Sequence, residues 1–307
     1  MTARRGARPI VFGLAMAALV TAFVAVEVWR DRAYGEPTPG DSVLYVRSGE
    51  AVRRVSLSFT SLVADIYWIR AVQYFGGTRL KTASSRNYDM LFPLLDITTT
   101  LDPRFVIAYR FGSIFLAEGY PGGPGRPDQA IALLEKGYRA DPTHWRYLQD
   151  IGFVYYWWLG DYRTAAMWFQ KAADVPGAPW WLRSLAAVTH AQGGDRRSSR
   201  ALWQSLRESA DNDWLRNNAT FRLAQLDALD AIDQLTALVA AYKARTGELP
   251  ASWDALVRVR LLSAVPLDPG GVPYTLDATA GSVTLGAGSP LLPLPVGGQV
   301  TPPPRVQ

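Results

Sequence analysis

The chain carries two histidines, His144 and His190, and no cysteine. The lack of cysteine excludes disulfides, thiolate metal sites, iron–sulfur clusters and a cysteine nucleophile. The histidines lie far apart, and neither has a partner at metal-ligand spacing. His144 follows Asp141-Pro142-Thr143 at an expected helix start. Capping or packing accounts for each of them. The glycine-rich stretch 119–127 has no Lys-Ser/Thr and does not link a strand to a helix, so it is no phosphate loop. No Gly-x-Ser-x-Gly elbow is present. Asp65, Asp96, Glu118, Glu135, Asp141 and Asp150 occur singly, within helical patterns or at their ends. Asp65 stands among Leu62, Val63, Ala64 and Ile66. It reads either as a buried acid with a raised pKa or as the partner of Arg70 or another helix's arginine, and pairing is favoured. These residues predict no catalytic centre, no metal and no cofactor.

The stronger signal is aromatic. The 11 tryptophans fall mostly between Trp145 and Trp253, inside a region of helical periodicity. The net charge of +5 is spread along the chain, with no basic block interleaved with aromatics, so no nucleic-acid partner is expected. Apolar residues make up 49%, enough for a core, and charged residues only 19%.

At the N-terminus, Arg4, Arg5 and Arg8 precede an uncharged run from Pro9 to Val26, followed by Glu27, Val28 and Trp29. An apolar helix of about 20 residues matches a bilayer core. Residues 9–29 therefore read as a transmembrane signal anchor meeting the lipid bilayer, with Glu27 snorkelling and Trp29 at the far interface. The arginines put the N-terminus in the cytoplasm, so that residues 1–29 comprise cytoplasmic arginines and a single span of an inner (cytoplasmic) membrane, with the rest periplasmic or extracytoplasmic. A cleaved signal peptide is the alternative, although no small-x-small site follows the run. Residues 30–57 read as a linker, with a short strand suited to 42–47.

From 58 onward the pattern is helical. Phe59, Leu62, Val63, Ile66, Ile69 and Val72 predict one helix, stopped at Gly76-Gly77. A second is expected over 84–101, kinked or started late by Pro93. Leu101-Asp102-Pro103 then recurs as Ala140-Asp141-Pro142, and each closes one apolar helix and opens another. Gly152, Tyr155, Gly160-Asp161-Tyr162, Ala165 and Phe169 complete the unit at 148–172. These residues resemble the tetratricopeptide repeat, an antiparallel helix pair with small residues at its close approach. A weaker unit spans Arg183 to Trp203, and the unit at 103–142 departs from the family by the insertion 119–127. Residues 58–245 thus read as tetratricopeptide-like repeats with one or two capping helices over 212–246. In such a solenoid the first helices line a concave groove. The resemblance therefore implies a partner-binding face of Tyr109, Ser113, Arg146, Gln149, Phe153 and Tyr156. Aromatics and arginine are the residue types of interface hot spots. For Trp157 and Trp158, groove lining and simple packing weigh equally.

Residues 246–285 change character. Gly247-Glu248-Leu249-Pro250, a helix from Trp253 to Leu262, Asp268-Pro269-Gly270-Gly271-Val272-Pro273-Tyr274 and two strands near 275–277 and 282–285 resemble the C-terminal part of type II secretion pseudopilins. The pilin N-terminal signature is missing. The resemblance implies calcium at Asp268 and Asp277, but two carboxylates are a thin cage for an ion that takes six or more oxygens. Residues 286–307 read as a disordered Pro/Gly-rich tail. The fold expected is mainly α: an α-solenoid after one transmembrane helix, ending in a small α+β module. The function expected is that of a membrane-anchored scaffold binding proteins of a pilus, secretion or export apparatus, and not an enzyme. A periplasmic enzyme acting on an envelope polysaccharide through paired carboxylates is the rival, and a self-assembling pilus-like subunit is a third reading. The oligomeric state is left open.

Overall fold

The computed structural model describes residues 7–34 and 48–295. The fold is mainly α. Twelve α-helices occur among the described residues, and the only strands are two short ones. The first, α1 (Ala7–Tyr34), extends five residues beyond the expected anchor boundary. Its described side chains, at 14–26, 28 and 29, are all exposed. Among the described residues no helix is long and apolar enough to cross a membrane. The strand expected at 42–47 lies outside the described residues, as does the linker from 35 onward.

The rest of the supposed linker is helical. In α2 (Gly49–Val55) the Ser48 hydroxyl caps the Ala51 amide at 3.3 Å, and Glu50 sits in the first turn. That is an ordinary N-terminal signal, hidden by the helix's brevity. A 3-10 turn at Leu57–Phe59 leads into α3 (Thr60–Arg79). Gly76-Gly77 does not stop α3. Beyond the glycines, Thr78 is buried, Arg79 pairs with Glu118 at 3.1 Å, and the Arg86 guanidinium donates to the Arg79 carbonyl at 2.8 Å. Tertiary bonds on the last turn outweigh a propensity cost of about 1 kcal/mol per glycine. Asp65 is exposed, so it is not a buried acid.

Helix α4 (Leu91–Leu101) begins late, with Pro93 in its first turn, where a missing amide costs no hydrogen bond. Then come α5 (Val106–Ala117), α6 (Pro127–Ala140), α7 (Trp145–Phe153), α8 (Tyr162–Ala173), α9 (Trp181–Gln192) and α10 (Arg196–Glu208). Each packs on its neighbours in sequence, giving a stack of helix hairpins. Asp161 and Asp195 cap α8 and α10 through their side chains. Gly152 shows why the hairpin α7–α8 needs a small residue. A Cβ there would lie 2.5 Å from Phe169 Cε1. The loop 118–126 is held in place: the Tyr88 hydroxyl donates to the carbonyls of Pro121 and Gly122 at 3.0 and 3.1 Å.

Residues 213–246 form one helix, α11 (Asp213–Thr246). Its N-terminal half, through Leu223, Leu226 and Leu229, closes a core with α9 and α10. Its C-terminal half, through Leu235 and Val239, packs with α12 (Trp253–Arg258) and the antiparallel pair β1 (Thr275–Leu276) and β2 (Val283–Thr284). Trp253 Nε1 donates to the Tyr274 carbonyl at 2.7 Å. Residues 286–295 belong to this core. Leu291 is buried, and the Gln225 amide donates to the carbonyls of Leu291 and Pro293 at 2.7 and 2.8 Å. The disordered tail expected from 286 is thus corrected for 286–295, because apolar residues among the prolines find a surface to cover; its remainder, 296–307, lies outside the described residues.

Candidate functional site

A cleft of about 270 Å³ opens between α5 and the end of α7, lined by Ser113, Ile114, Ala117, Asp150, Phe153, Val154, Trp157 and Trp158. Its outer wall exists because α7 does not end as an α-helix. Val154–Leu159 continues it as a π-helical turn, closed by Gly160 at φ +64°. The wider turn leaves Trp157 and Trp158 outside the core, with Trp157 61% exposed. On the facing helix, Ile107, Phe111 and Ile114 recur at helical spacing and are exposed. The opposite side of α5, with Ala108 and Gly112, is buried.

Polar chemistry in the cleft comes from one ion pair. Arg110 donates to both oxygens of Asp150, Nη2 to Oδ1 at 3.1 Å, and ties α5 to α7. Burial pushes the Asp150 carboxyl above its usual range, against the Arg110 bonds that draw it down. The bond to Asp150 in turn raises the Arg110 guanidinium. Asp150 is the one carboxylate lining this cleft. A second cleft, at the start of α9, also has one, Asp211.

The six residues expected on the groove separate into two groups. Phe153 lines the cleft, half-buried, with its ring 5.0 Å from that of Phe169. Ser113 lies in its wall, but it is buried and donates to the Arg110 carbonyl at 2.7 Å. Tyr156 is half-buried beside Trp157 and Tyr162, at 5.0 Å from each ring. Arg146 is exposed and lies over the Trp145 ring at 4.4 Å, and it is not among the residues lining the cleft. Tyr109 and Gln149 are buried and face no open groove. Tyr109 packs edge-on against Tyr147 at 5.3 Å, and its hydroxyl donates to the Thr99 carbonyl at 3.3 Å. Desolvation pushes that hydroxyl's pKa up to about 12. Its neighbour Gly137 leaves room for the ring, whereas the repeat resemblance had placed Tyr109 on the concave groove. Sequence reading missed Ile114, Ala117, Asp150 and Val154. The signal was the second apolar stripe on α5: a helix apolar on two faces has more to cover than one core.

Both histidines make contacts within the helix stack. His190 is buried, with Nε2 3.3 Å from Gln170 Oε1 and Nδ1 3.4 Å from Asp195 Oδ2. The His144 ring sits 4.6 Å from that of Tyr147. Among the described residues no group of three or more His, Asp or Glu could hold a metal ion. The Asp268 oxygens are engaged by the amides of Gly270 and Val272, at 2.8 Å each, and by the Ser289 hydroxyl at 2.5 Å. Asp277 accepts from the amides of Thr279 and Ala280. Both carboxylates thus accept from turn amides, and Asp268 also from the distant Ser289. The chain matches no family model, no curated protein and no solved structure.

Proposed function

We propose that the protein is a membrane-anchored scaffold that holds a partner protein of an envelope machine in the cleft between α5 and α7. The cleft itself carries the reading. It is an apolar, two-tryptophan pocket open to solvent, fixed by the Arg110–Asp150 pair. Exposed Trp157 and Ile114 leave apolar area to be buried on binding, and an aromatic in a preformed pocket is what concentrates binding energy. The occupant proposed is an apolar-faced segment of that partner protein, inserted as anchors at helical or extended spacing. The stacked hairpins and the packing of Gly152 on Phe169 favour a tetratricopeptide-like solenoid. The uncharged run Pro9–Val26, flanked by arginines, favours a single bilayer span by residues 9–29 with the stack outside. The turn built on Asp268 and the hairpin after it favour a pseudopilin-like module, and hence a pilus, secretion or export apparatus.

The test is photo-crosslinking in native membranes. A benzophenone side chain at Trp157 or Ile114 is expected to capture a discrete protein that the same probe at Met167, exposed on α8, does not. Adding Phe153→Ala to the probe-bearing chain is expected to weaken the capture. Equal labelling from Met167 overturns the cleft as the binding face.

A further inference from the structure

Four indoles form one row across the starts of three helices. Trp145 opens α7, Trp180 and Trp181 open α9, and Trp214 is the second residue of α11. Ring contacts join them: Trp145 meets Trp181 at 6.1 Å, and Trp180 meets Trp214 at 6.0 Å. Trp180 and Trp214 remain 54% and 64% exposed. Helices that pack on their neighbours through short turns alternate in direction, so these starts share one edge of the stack. Two exposed arginines accompany the row. Arg146 covers Trp145, and Arg183 lines the cleft of about 420 Å³ beside Trp180. Neither makes an ion pair within 4 Å among the described residues, although Arg146 acts on Asp150 through charge and Arg183 shares its cleft with Asp211. Asp213 on the same edge pairs with Arg216 at 2.6 Å, and Asp211 accepts from Asn212.

The chain also enters the stack at this edge. Helix α2 packs on the end of α4, with Gly49 so close to Thr100 that a Cβ would sit 3.0 Å from the threonine's own. From there the turn 102–105 leads directly to the start of α5. Helix α2 brings Arg53 and Arg54, both exposed, and then Leu57, 79% exposed at φ +49°. Between α1 and Ser48 lie residues 35–47, which reach at most about 45 Å. The chain thus enters the stack beside the edge with the indoles, within that reach of α1.

We infer that this edge lies on the bilayer surface, with Trp145, Trp180, Trp181 and Trp214 in the headgroup layer and Arg146 and Arg183 on lipid phosphates. An indole has an apolar body and one polar tip, and a guanidinium beside it meets the phosphate layer. The inference rests on the anchor proposed above. It adds an orientation: α7, α9 and α11 stand on their N-terminal ends, and the helices between them on their C-terminal ends.

The full chain is reconstituted in vesicles of phosphatidylcholine and phosphatidylglycerol, with acyl chains brominated or not. The emission of the four indoles is obtained by difference from W145F/W180F/W181F/W214F, which leaves Trp29 in place. The difference emission is expected to be quenched by brominated lipid and poorly reached by aqueous iodide. With R146E/R183E, folded by circular dichroism, that quenching is expected to be lost. Indoles untouched by bromine in vesicles that retain the protein through an alkaline carbonate wash overturn this inference alone. Release by carbonate overturns the anchor, and this inference with it. Shielding of the row in detergent micelles together with a dimeric mass overturns it too, making the edge a contact between copies.

Discussion

At the scale of single residues, the decisive contrast lies between side chains that the repeat pattern treats alike. Tyr109 and Phe153 both belong to first helices, yet Tyr109 is fully buried and Phe153 borders the cleft. Tyr109→Ala is expected to cost about 3–5 kcal/mol of stability, as other buried aromatics do. Phe153→Ala is expected to cost less and to weaken partner capture. Denaturant midpoints with unchanged slope read the first effect. An equal loss for both would contradict the assignment of Phe153 to the cleft. Gly152→Ala is a sharper case. The new Cβ meets the Phe169 ring at 2.5 and 2.6 Å, and a packed ring edge cannot yield as a flexible tip would. A loss of about 1–3 kcal/mol is expected. Shrinking the ring should recover part of it, so G152A/F169L should lose less than the sum of the two single changes. Strict additivity would mean that the clash is relieved elsewhere.

At the scale of elements, the long helix α11 shows how charge fixes a helix whose apolar stripe changes partner half-way. Arg196 and Arg200, one turn apart on α10, grip Asp227, Asp230 and Asp233 on α11. Arg196 binds Asp230 at 3.1 Å and Asp233 at 2.6 Å, while Arg200 binds Asp230 at 2.6 Å and also Asp227. Asp230 serves both arginines and is 44% exposed, so solvent discounts each bond. Asp230→Asn is expected to lower stability by about 0.5–1 kcal/mol at low salt and by less at high salt. A loss that persists in high salt would place its origin in packing. These helices were legible in the sequence because their apolar spacing repeats over several turns, as with Leu223, Leu226 and Leu229. Helix α2 was not, since seven residues give too few turns for a period. Nor was the continuation of α3 past Gly76-Gly77, which rests on Arg86 and Glu118, residues distant in sequence. The cleft was half legible. Phe153 and Ser113 followed from the repeat pattern, but the π-helical turn that exposes Trp157 has no local sequence signature.

At the scale of the whole molecule, the two histidines link folding to pH. Burial is the largest influence on both, and it holds their imidazoles below the ordinary value despite Asp141 beside His144 and Asp195 beside His190. The folded chain thus keeps them neutral after the unfolded chain has begun to take up protons. Their contribution is fully present above the ordinary imidazole pKa and is lost as pH falls through it towards the lower folded values. Asp141 and Asp195 are held below the ordinary carboxylate range by hydrogen bonds, so their contribution is lost only at more acid pH. Asp150, raised by burial, works in the opposite sense and gains relative stability on acidification. Between about pH 7 and 5 the histidines therefore dominate the expected decline. His190→Gln keeps a polar side chain near Gln170 and removes the titrating ring. Its stability should fall less steeply across that interval than the parent's, by denaturant midpoints at each pH. Because His190 lies between α9 and the turn that starts α10, a parent-like slope in this variant would mean that burial there does not control its protonation. The acid sensitivity of the stack would then belong to His144 and the edge around Trp145.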